Sequence, residues 1–308
     1  MKNFRNADDS APMILNFGGG VDSTAILIGL SHLYAAGDKT ARPDLILFAD
    51  TGDELPETYE NVNRMNAWCA TVGFPEVTIV SRPNNIPGRV GYKSLSENCV
   101  TNETLPSEAF GRGACAGKWK HDPMDAFLFG RKRPYRMGWM EANGHACKPV
   151  KLIGYNATEA ATGKRGKHAK NTEDKIARFR YPLIEWNWTR QDCVDAIAAE
   201  GLPTVIKSAC SMCPNQSEAE LRTMAKINPS QFLRALAIEE IAKRGKHGLT
   251  KLEGLWRRTR KSDGRSGSWV QWAKDENLLD DVEKAAAITL EALIAELKPE
   301  WAQSESAR

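Results

Sequence analysis

The sequence contains no apolar run long enough to cross a bilayer, and Met1–Arg5 lead into no hydrophobic segment of a secretion signal. We therefore expect a soluble, cytoplasmic protein without a membrane partner. The chain also lacks a large excess of either charge, because the net charge is only +3 over 308 residues. Such a balance demands no nucleic-acid partner, although local basic clusters remain. With 42% hydrophobic residues, the chain can bury the core of one large or two smaller domains.

Cysteine is sparse and odd in number, with seven in the chain. In a protein that we expect to be intracellular, an odd number of cysteines favours free thiols or metal ligands over a disulfide framework. Cys69 and Cys193 fall on predicted helices with apolar neighbours, which indicates core packing. Cys147 has no assigned role.

Strand and helix signals alternate in the first half of the chain. Apolar runs predict strands at Met13–Phe17, 44–49 and 76–80, with helices after Asp22 and over 58–70. This order predicts an α/β fold with a doubly wound, mainly parallel sheet and ligand sites at the carboxyl ends of its strands.

The remainder of the chain is predicted as a long functional loop, a further strand and several helices. We place an α/β domain at 10–215 and a helical C-terminal extension at 216–308. The individual predictions are a loop at 82–121, a helix at 122–129, a strand at 150–155, a helix from Thr189 to Glu200, and helices at 217–227, 230–244 and 281–297.

A glycine-rich turn stands between the first predicted strand and the first predicted helix. Consecutive glycines allow a tight turn that brings backbone N–H groups against an anion, and the helix N-terminus favours phosphate. No lysine follows the glycines, so this is not the common lysine-containing phosphate loop. The segment consists of Asn16, Phe17, Gly18, Gly19, Gly20, Val21, Asp22, Ser23 and Thr24.

This turn resembles the Ser-Gly-Gly-x-Asp-Ser loop of the N-type ATP pyrophosphatases, with Gly18 in place of the usual first serine. The resemblance implies that ATP is split between its α- and β-phosphates and that a substrate is adenylated. The β,γ-phosphates would lie on the Gly18–Ser23 turn. Mg²⁺ would bind near Asp22 and Asp50, with Thr51 also close to the nucleotide.

Four further stretches resemble the phosphoadenosine phosphosulfate (PAPS) reductase family, a branch of the same superfamily. They come in the family's order and, with the glycine turn, span about residues 12 to 215. The stretches are 48–58 with its acidic Asp50-Thr51-Gly52-Asp53-Glu54, 115–123 with the pattern Cys-x-x-x-x-Lys-x-x-Pro, Tyr181-Pro182-Leu183-Ile184-Glu185-Trp186 as a strand leading into a helix, and Cys210-Ser211-Met212-Cys213-Pro214.

One departure changes the expected reaction. Sulfonucleotide reductases end in a Glu-Cys-Gly tail whose cysteine attacks sulfur, whereas the last cysteine here is Cys213. We therefore expect an adenylating enzyme of the sulfurtransferase type that acts on nucleic acid or a small acceptor. Sulfur would come from a donor protein or from a cysteine or cluster around Cys210 and Cys213. The alternatives are a sulfonucleotide reductase that uses one of these two thiols, and a non-catalytic component that senses nucleotide or binds nucleic acid.

A C-x-x-C motif with two more distant cysteines is a pattern that binds iron–sulfur clusters or zinc. Cys99, Cys115, Cys210 and Cys213 form this set, and iron–sulfur ligation occurs in several branches of the superfamily. A 4Fe–4S cluster, a zinc ion, a redox pair and inert buried thiols all remain open.

Basic residues in the middle of the chain are candidates for the α-phosphate or the leaving pyrophosphate, because positive charge stabilises developing negative charge. His121 and His168 are candidate acids or bases. Trp256 and Trp269, among arginines, predict either a nucleic-acid surface or core anchors. The basic candidates are Lys118, Lys120, Arg178 and Lys207.

Overall fold

The computed structural model describes residues 10–83, 91–111, 113–130, 137–162 and 169–301. Within these ranges, no helix combines the length and apolar character that a membrane span needs. The chain forms two compact units, each discontinuous in sequence. As far as their residues are described, unit 1 comprises Met1–Asp50, Pro56–Ser81 and Pro123–Ser208, and unit 2 comprises Thr51–Leu55, Arg82–Asp122 and Ala209–Arg308.

The centre of unit 1 is a five-stranded sheet in which every neighbouring pair is parallel, as predicted. The strand order is β3-β2-β1-β4-β5, so the order reverses direction between β1 and β4. In such sheets, ligands bind outside the carboxyl ends of the strands at this switch point. The strands are β1 Met13–Asn16, β2 Leu45–Asp50, β3 Val77–Ser81, β4 Val150–Leu152 and β5 Arg178–Arg180.

Helices account for most of the remaining regular structure. Before α4, a short helical turn at Ala114–Ala116 is followed by a π-helical turn at Gly117–His121. The helices are α1 Val21–Ala35, α2 Pro56–Thr71, α3 Leu95–Thr101, α4 Asp122–Phe129, α5 Trp139–Ala142, α6 Ala157–Thr162, α7 Pro182–Glu185, α8 Arg190–Ala199, α9 Glu218–Ile227, α10 Pro229–Arg244, α11 Trp269–Asp275, α12 Leu279–Ala286 and α13 Leu290–Leu297.

The alternating side chains of β1 divide the core of unit 1 into two layers. Met13 and Leu15 join a cluster with apolar residues of α1, α2 and α8, whereas Ile14 joins a second cluster with α4 and α5. Because successive strand residues point to opposite faces, both faces of the sheet are covered by helices. The predicted doubly wound α/β class is therefore confirmed. Cys69 and Cys193 lie in the first cluster, fully buried, as predicted.

Three local predictions were wrong. The supposed loop 82–121 contains α3 and the π-helical turn, with Trp119 buried in it. The supposed strand at Tyr181–Trp186 is mostly α7, since Pro182 occupies the first helical position, which suits its fixed φ. The single helix predicted at 281–297 is interrupted at Ala287, whose left-handed φ of 56° ends α12.

Unit 2 is organised around one buried carboxylate. Glu239, in the middle of α10, is fully buried and accepts hydrogen bonds from Leu255 N at 2.7 Å and Trp269 N at 2.9 Å. Its other oxygen accepts from Val270 N at 3.1 Å and also contacts the Ser268 hydroxyl. A single side chain thus satisfies backbone donors from two separate segments.

Candidate functional site

The glycine turn adopts a conformation that only glycine tolerates at its centre. Gly19 has a φ of 72°, and an added Cβ would lie 2.9 Å from Thr58 Cγ2. The Ser23 hydroxyl accepts a hydrogen bond from Gly18 N at 3.1 Å and donates one to Gly20 O at 3.2 Å. Ser23 therefore braces the turn from inside, a role that the sequence does not reveal.

The first turn of α1 is left open to a ligand. Gly20 is its N-cap residue and carries no side chain that could accept from the first amides. An α-helix has four such unsatisfied N–H groups at its start, together with the positive end of its dipole. Gly20, Val21 and Asp22 line a cleft here.

The cleft lies at the switch point of the sheet and has a volume of about 360 Å³. One wall is the Asn16–Ser23 turn after β1, and another is Gly154 and Tyr155 after β4. Lys207 and Arg190 add positive charge to the lining. This volume is within the usual range for small-molecule sites, so the cleft can accept part or all of a nucleotide.

Asn16 presents a buried acceptor to the same cleft. Within the described part of the chain, its Oδ1 atom has no hydrogen-bond partner. A buried, unpaired carbonyl oxygen costs free energy of about 1–3 kcal/mol unless a ligand or water donates to it. The rest of the turn is fixed by packing, since Phe17 is fully buried and Asn61 Nδ2 donates to Thr24 Oγ1 at 3.0 Å.

Asp22 is held by donors within unit 1. Arg190 Nη1 lies 3.0 Å from its Oδ1, and Asn156 Nδ2 lies 3.4 Å from both of its oxygens. Its carboxylate is the hard oxygen ligand that Mg²⁺ prefers, and it lines the cleft, so it fits the predicted ion. Asp50 instead ends β2 and accepts from the Tyr59 hydroxyl at 2.7 Å, without lining this cleft.

The rest of the acidic stretch belongs to unit 2. Thr51 is buried and donates to Glu54 Oε1 at 3.0 Å. Asp53 Oδ2 accepts from Ser96 N, in the first turn of α3, at 2.6 Å. Burial raises the pKa of Asp53 despite this hydrogen bond and the nearby Arg234. These residues make structural contacts, and the nucleotide role predicted for Thr51 stays a prediction.

Lys120 forms a half-buried ion pair, with its Nζ 2.9 Å from Glu54 Oε1. Burial lowers the pKa of Lys120, but the charge and hydrogen bond of Glu54 outweigh it and raise that pKa overall. An antiparallel bridge joins Glu54 to Cys210, whose thiol contacts that of Cys213. This contact and burial raise the pKa of Cys210 above its usual range.

The other two candidate cysteines form a second pair in unit 2. Burial, with the neighbouring Cys115, raises the pKa of Cys99 well above its usual range. Burial and the nearby Arg82 lower the pKa of Lys118, which lies by the same pair. Throughout the described ranges, no group of three or more His, Cys, Asp or Glu side chains could hold a metal ion. The four cysteines therefore provide no preassembled cluster or zinc site, and both remain predictions.

Several other candidates lie outside the cleft. Arg178 lies on β5 beside Glu173, and Lys118 lines a cavity of unit 2. His121 ends the π-helical turn, and His168 lies outside the described residues. Of the predicted basic residues, the cleft lining thus includes Lys207.

The tryptophans near the C-terminus are core anchors, which is one of the two alternatives that the sequence leaves open. Trp269 is fully buried, and Trp256 is 8% exposed. Trp256 donates its indole N–H to Gln216 O at 2.8 Å, and the Arg265 guanidinium lies 3.8 Å from its ring centroid. The arginine thus covers the ring that a base would need.

Sequence reasoning missed Arg190, Asn156 and Ser208. Asn156 follows β4 closely, so the switch-point rule could have found it once β4 was paired with β1. Ser208 packs on the turn, because a Cβ at Gly20 would lie 2.7 Å from its Oγ. Arg190, at the start of α8, had no local signal, since its ion pair with Asp22 spans most of the unit's sequence.

Comparison with known proteins does not assign this chain to a family. No family model matches the chain. No curated protein matches it either. The resemblance to the ATP pyrophosphatases accordingly remains an expectation that depends on the motifs themselves.

Proposed function

We propose that this protein is an ATP-dependent adenylating enzyme that splits ATP into an adenylated product and pyrophosphate. The observation that carries the proposal is the cleft at the switch point, where the glycine turn and the uncapped start of α1 meet Lys207 and Arg190. Backbone donors, a helix dipole and cationic side chains in one cleft form a polyphosphate site.

Each part of the cleft has a distinct role in this proposal. The amides at Gly19–Asp22 bind the β,γ-phosphates, and Lys207 neutralises the charge that develops on the leaving pyrophosphate. Asn16 Oδ1 accepts a hydrogen bond from a ribose hydroxyl or the adenine amino group. Ser23 keeps the turn in shape for binding.

Asp22 would hold the Mg²⁺ that accompanies ATP, and this ion would supply charge neutralisation along the polyphosphate. Arg190 occupies one oxygen of Asp22 in the structure, so the guanidinium and the ion compete for the carboxylate. Displaced from Asp22, Arg190 remains beside the cleft as a donor to phosphate.

The reaction conserves atoms and charge in one displacement. An acceptor oxygen attacks the α-phosphorus and forms a new P–O bond, while the bond to the α,β-bridging oxygen breaks. Pyrophosphate leaves with the bonding electron pair, and the acceptor's proton passes to solvent. The protein contributes positioning and positive charge. A subsequent sulfur transfer, with nucleic acid as acceptor, stays a prediction.

The test is the identity of the nucleotide products. The protein is incubated with Mg²⁺ and α-labelled ATP, alone and with RNA, DNA or small hydroxyl acceptors. AMP or an adenylated acceptor, together with pyrophosphate, is the expected result. ADP with phosphate would refute adenylation, ATP binding without turnover would favour the sensor alternative, and turnover of PAPS without ATP would favour the reductase.

Paired lysine variants make the test specific to the cleft. Lys207→Met removes an exposed charge that lines the cleft, whereas Lys175→Met removes an exposed charge elsewhere in unit 1. We expect the former to lower the rate of pyrophosphate release by about 10²-fold, as loss of a positioned charge does, and the latter to leave it unchanged. Equal rates in both variants would remove Lys207 from the mechanism.

A further inference from the structure

Unit 2 contains a cavity of about 420 Å³ that the proposed nucleotide chemistry does not use. It is formed by α3, by the segment between Glu103 and Trp119, and by 247–249. Its volume is within the range of small-molecule sites, about 300–1,000 Å³. All of its lining residues belong to unit 2, so it is a feature of that unit alone.

The walls of this cavity are mostly apolar. Leu95, Leu105 and Trp119 line it, and each is at least nine-tenths buried. Phe110 lines it too, although 42% of its surface is exposed, so an aromatic side chain meets solvent at this cavity. Aromatic and aliphatic walls of this kind bury an apolar ligand body.

The charge balance of the lining is unequal. Glu103 lies 2.9 Å from Lys298 Nζ and accepts from Lys246 N at 2.8 Å, so its negative charge is compensated. Lys118, by contrast, forms no hydrogen bond or ion pair with any described residue. Arg82, whose guanidinium lies 5.1 Å from the Trp119 ring centroid, adds positive charge near Lys118.

We propose that this cavity binds a small molecule with an apolar body, aromatic or aliphatic, and one anionic group that pairs with Lys118. An ammonium group beside a mostly apolar cavity is compensated when such a ligand brings its own negative charge. The site is independent of the proposed ATP reaction, because it contains no residue of the glycine turn or the cleft.

The test uses three naphthalene probes with the full-length protein, measured by isothermal titration calorimetry. 2-Naphthoate and naphthalene-2-sulfonate carry the anion, and 2-naphthamide has the same body without charge. We expect one site for each anion and binding at least about tenfold weaker for the amide, the fold-change of one charge-assisted hydrogen bond. The two anions also distinguish a carboxylate ligand from a sulfonate-like or phosphate-like one.

Four variants locate the site. Lys118→Met keeps the aliphatic stem and should weaken 2-naphthoate by about tenfold or more, whereas Lys226→Met, at an exposed lysine of α9, should not. Leu249→Trp, at a half-buried position, should fill the cavity and weaken all three probes. Lys207→Met should leave naphthoate affinity unchanged. Circular dichroism establishes that each variant is folded.

Three outcomes would overturn the proposal. The first is that no probe binds at millimolar concentration. The second is equal affinity for 2-naphthoate and the amide. The third is a loss of affinity in Lys207→Met without one in Lys118→Met, since the anion would then bind in the cleft of unit 1. None of these outcomes bears on ATP cleavage, which is measured separately.

Discussion

The backbone N–H groups at the starts of α1 and α11 differ in whether side chains of the protein accept hydrogen bonds from them. At α11, the buried carboxylate of Glu239 accepts from Trp269 N and Val270 N, and the Ser268 hydroxyl accepts from Gln271 N at 3.1 Å. At α1, the cap is Gly20, which has no side-chain acceptor, and the first residues of the helix line a cleft. Both ends have the same need for negative charge. The difference teaches that the start of α11 is completed by side chains of the protein, whereas the start of α1 has no side-chain cap, as the proposed phosphate site requires.

The largest effect is expected from removing the internal anion. Glu239→Gln keeps one carbonyl oxygen but points an NH₂ group at buried N–H donors, and it leaves Lys243, whose Nζ is 3.0 Å away, without its buried partner. The free energy of unfolding should fall by about 3 kcal/mol, the scale of a broken buried charge pair. Urea denaturation measures this change.

The control for that variant is an exposed carboxylate on a neighbouring helix. Glu291→Gln removes a partner of Arg244, but the Glu291 side chain is 67% exposed. Its loss should cost under about 1 kcal/mol, as for surface ion pairs. Equal losses in the two variants would mean that Glu239 does not organise unit 2.

The second prediction concerns the end left open. In Gly20→Ala, the new Cβ would lie 2.7 Å from Ser208 Oγ and 3.2 Å from Ser208 N, so Ser208 and the turn must shift apart. ATP affinity, measured by equilibrium dialysis, should fall by about tenfold or more because several amides lose their common orientation, while the free energy of unfolding falls by only about 1 kcal/mol.

A compensating change tests that cause directly. Adding Ser208→Gly to Gly20→Ala removes the nearest side-chain atoms and should restore most of the affinity. Gly117→Ala is the matched glycine control, because its added Cβ would meet no atom within 4 Å. If the double variant binds no better than Gly20→Ala, crowding at Ser208 is not the reason for the loss.

The smallest change in stability is expected at the start of α3, where the carboxyl group of Asp53 accepts from a backbone N–H group. Asp53 accepts from Ser96 N there, yet burial raises its pKa above the usual value of an aspartate. A group with a raised folded-state pKa stabilises the fold below the unfolded pKa and loses that contribution as the pH rises through the folded value. Asp53→Asn should therefore gain stability relative to wild type between pH 4 and neutral pH, by under about 1 kcal/mol.

Thermal unfolding of both proteins across this pH range checks the sign. The stability of Asp53→Asn relative to the parent should be highest at neutral pH and decline towards pH 4. A constant difference would show that the carboxyl group has the same pKa in the folded and unfolded chain.

Most strands and helices of unit 1 could be predicted because the residues that specify them lie within each element or next to it. β1 is a short apolar run before glycines, and α8 follows the N-cap residue Thr189, whose capping box with Asp192 is visible in the sequence. The sequence predicts a loop at the α3 segment because its residues are mostly polar, and the helix depends on contacts such as that of Asp53 with Ser96.

The sequence predicts only those parts of the candidate site that are contiguous in the chain. The glycine turn is contiguous and was found, whereas Arg190 and Asn156 reach Asp22 from more than a hundred residues away. The tryptophans illustrate an ambiguity that the sequence alone leaves open. Residue types that suit base stacking also suit a core, and only burial distinguishes the two for Trp256 and Trp269.

The interleaving of the two units determines how this protein can be divided. The chain passes between them at 50/51, 55/56, 81/82, 122/123 and 208/209. A stop codon after residue 208 would therefore remove most of unit 2 but leave its segments 51–55 and 82–122 within the remaining polypeptide. Neither unit can be cloned as one uninterrupted fragment, nor exchanged between genes by a single crossover.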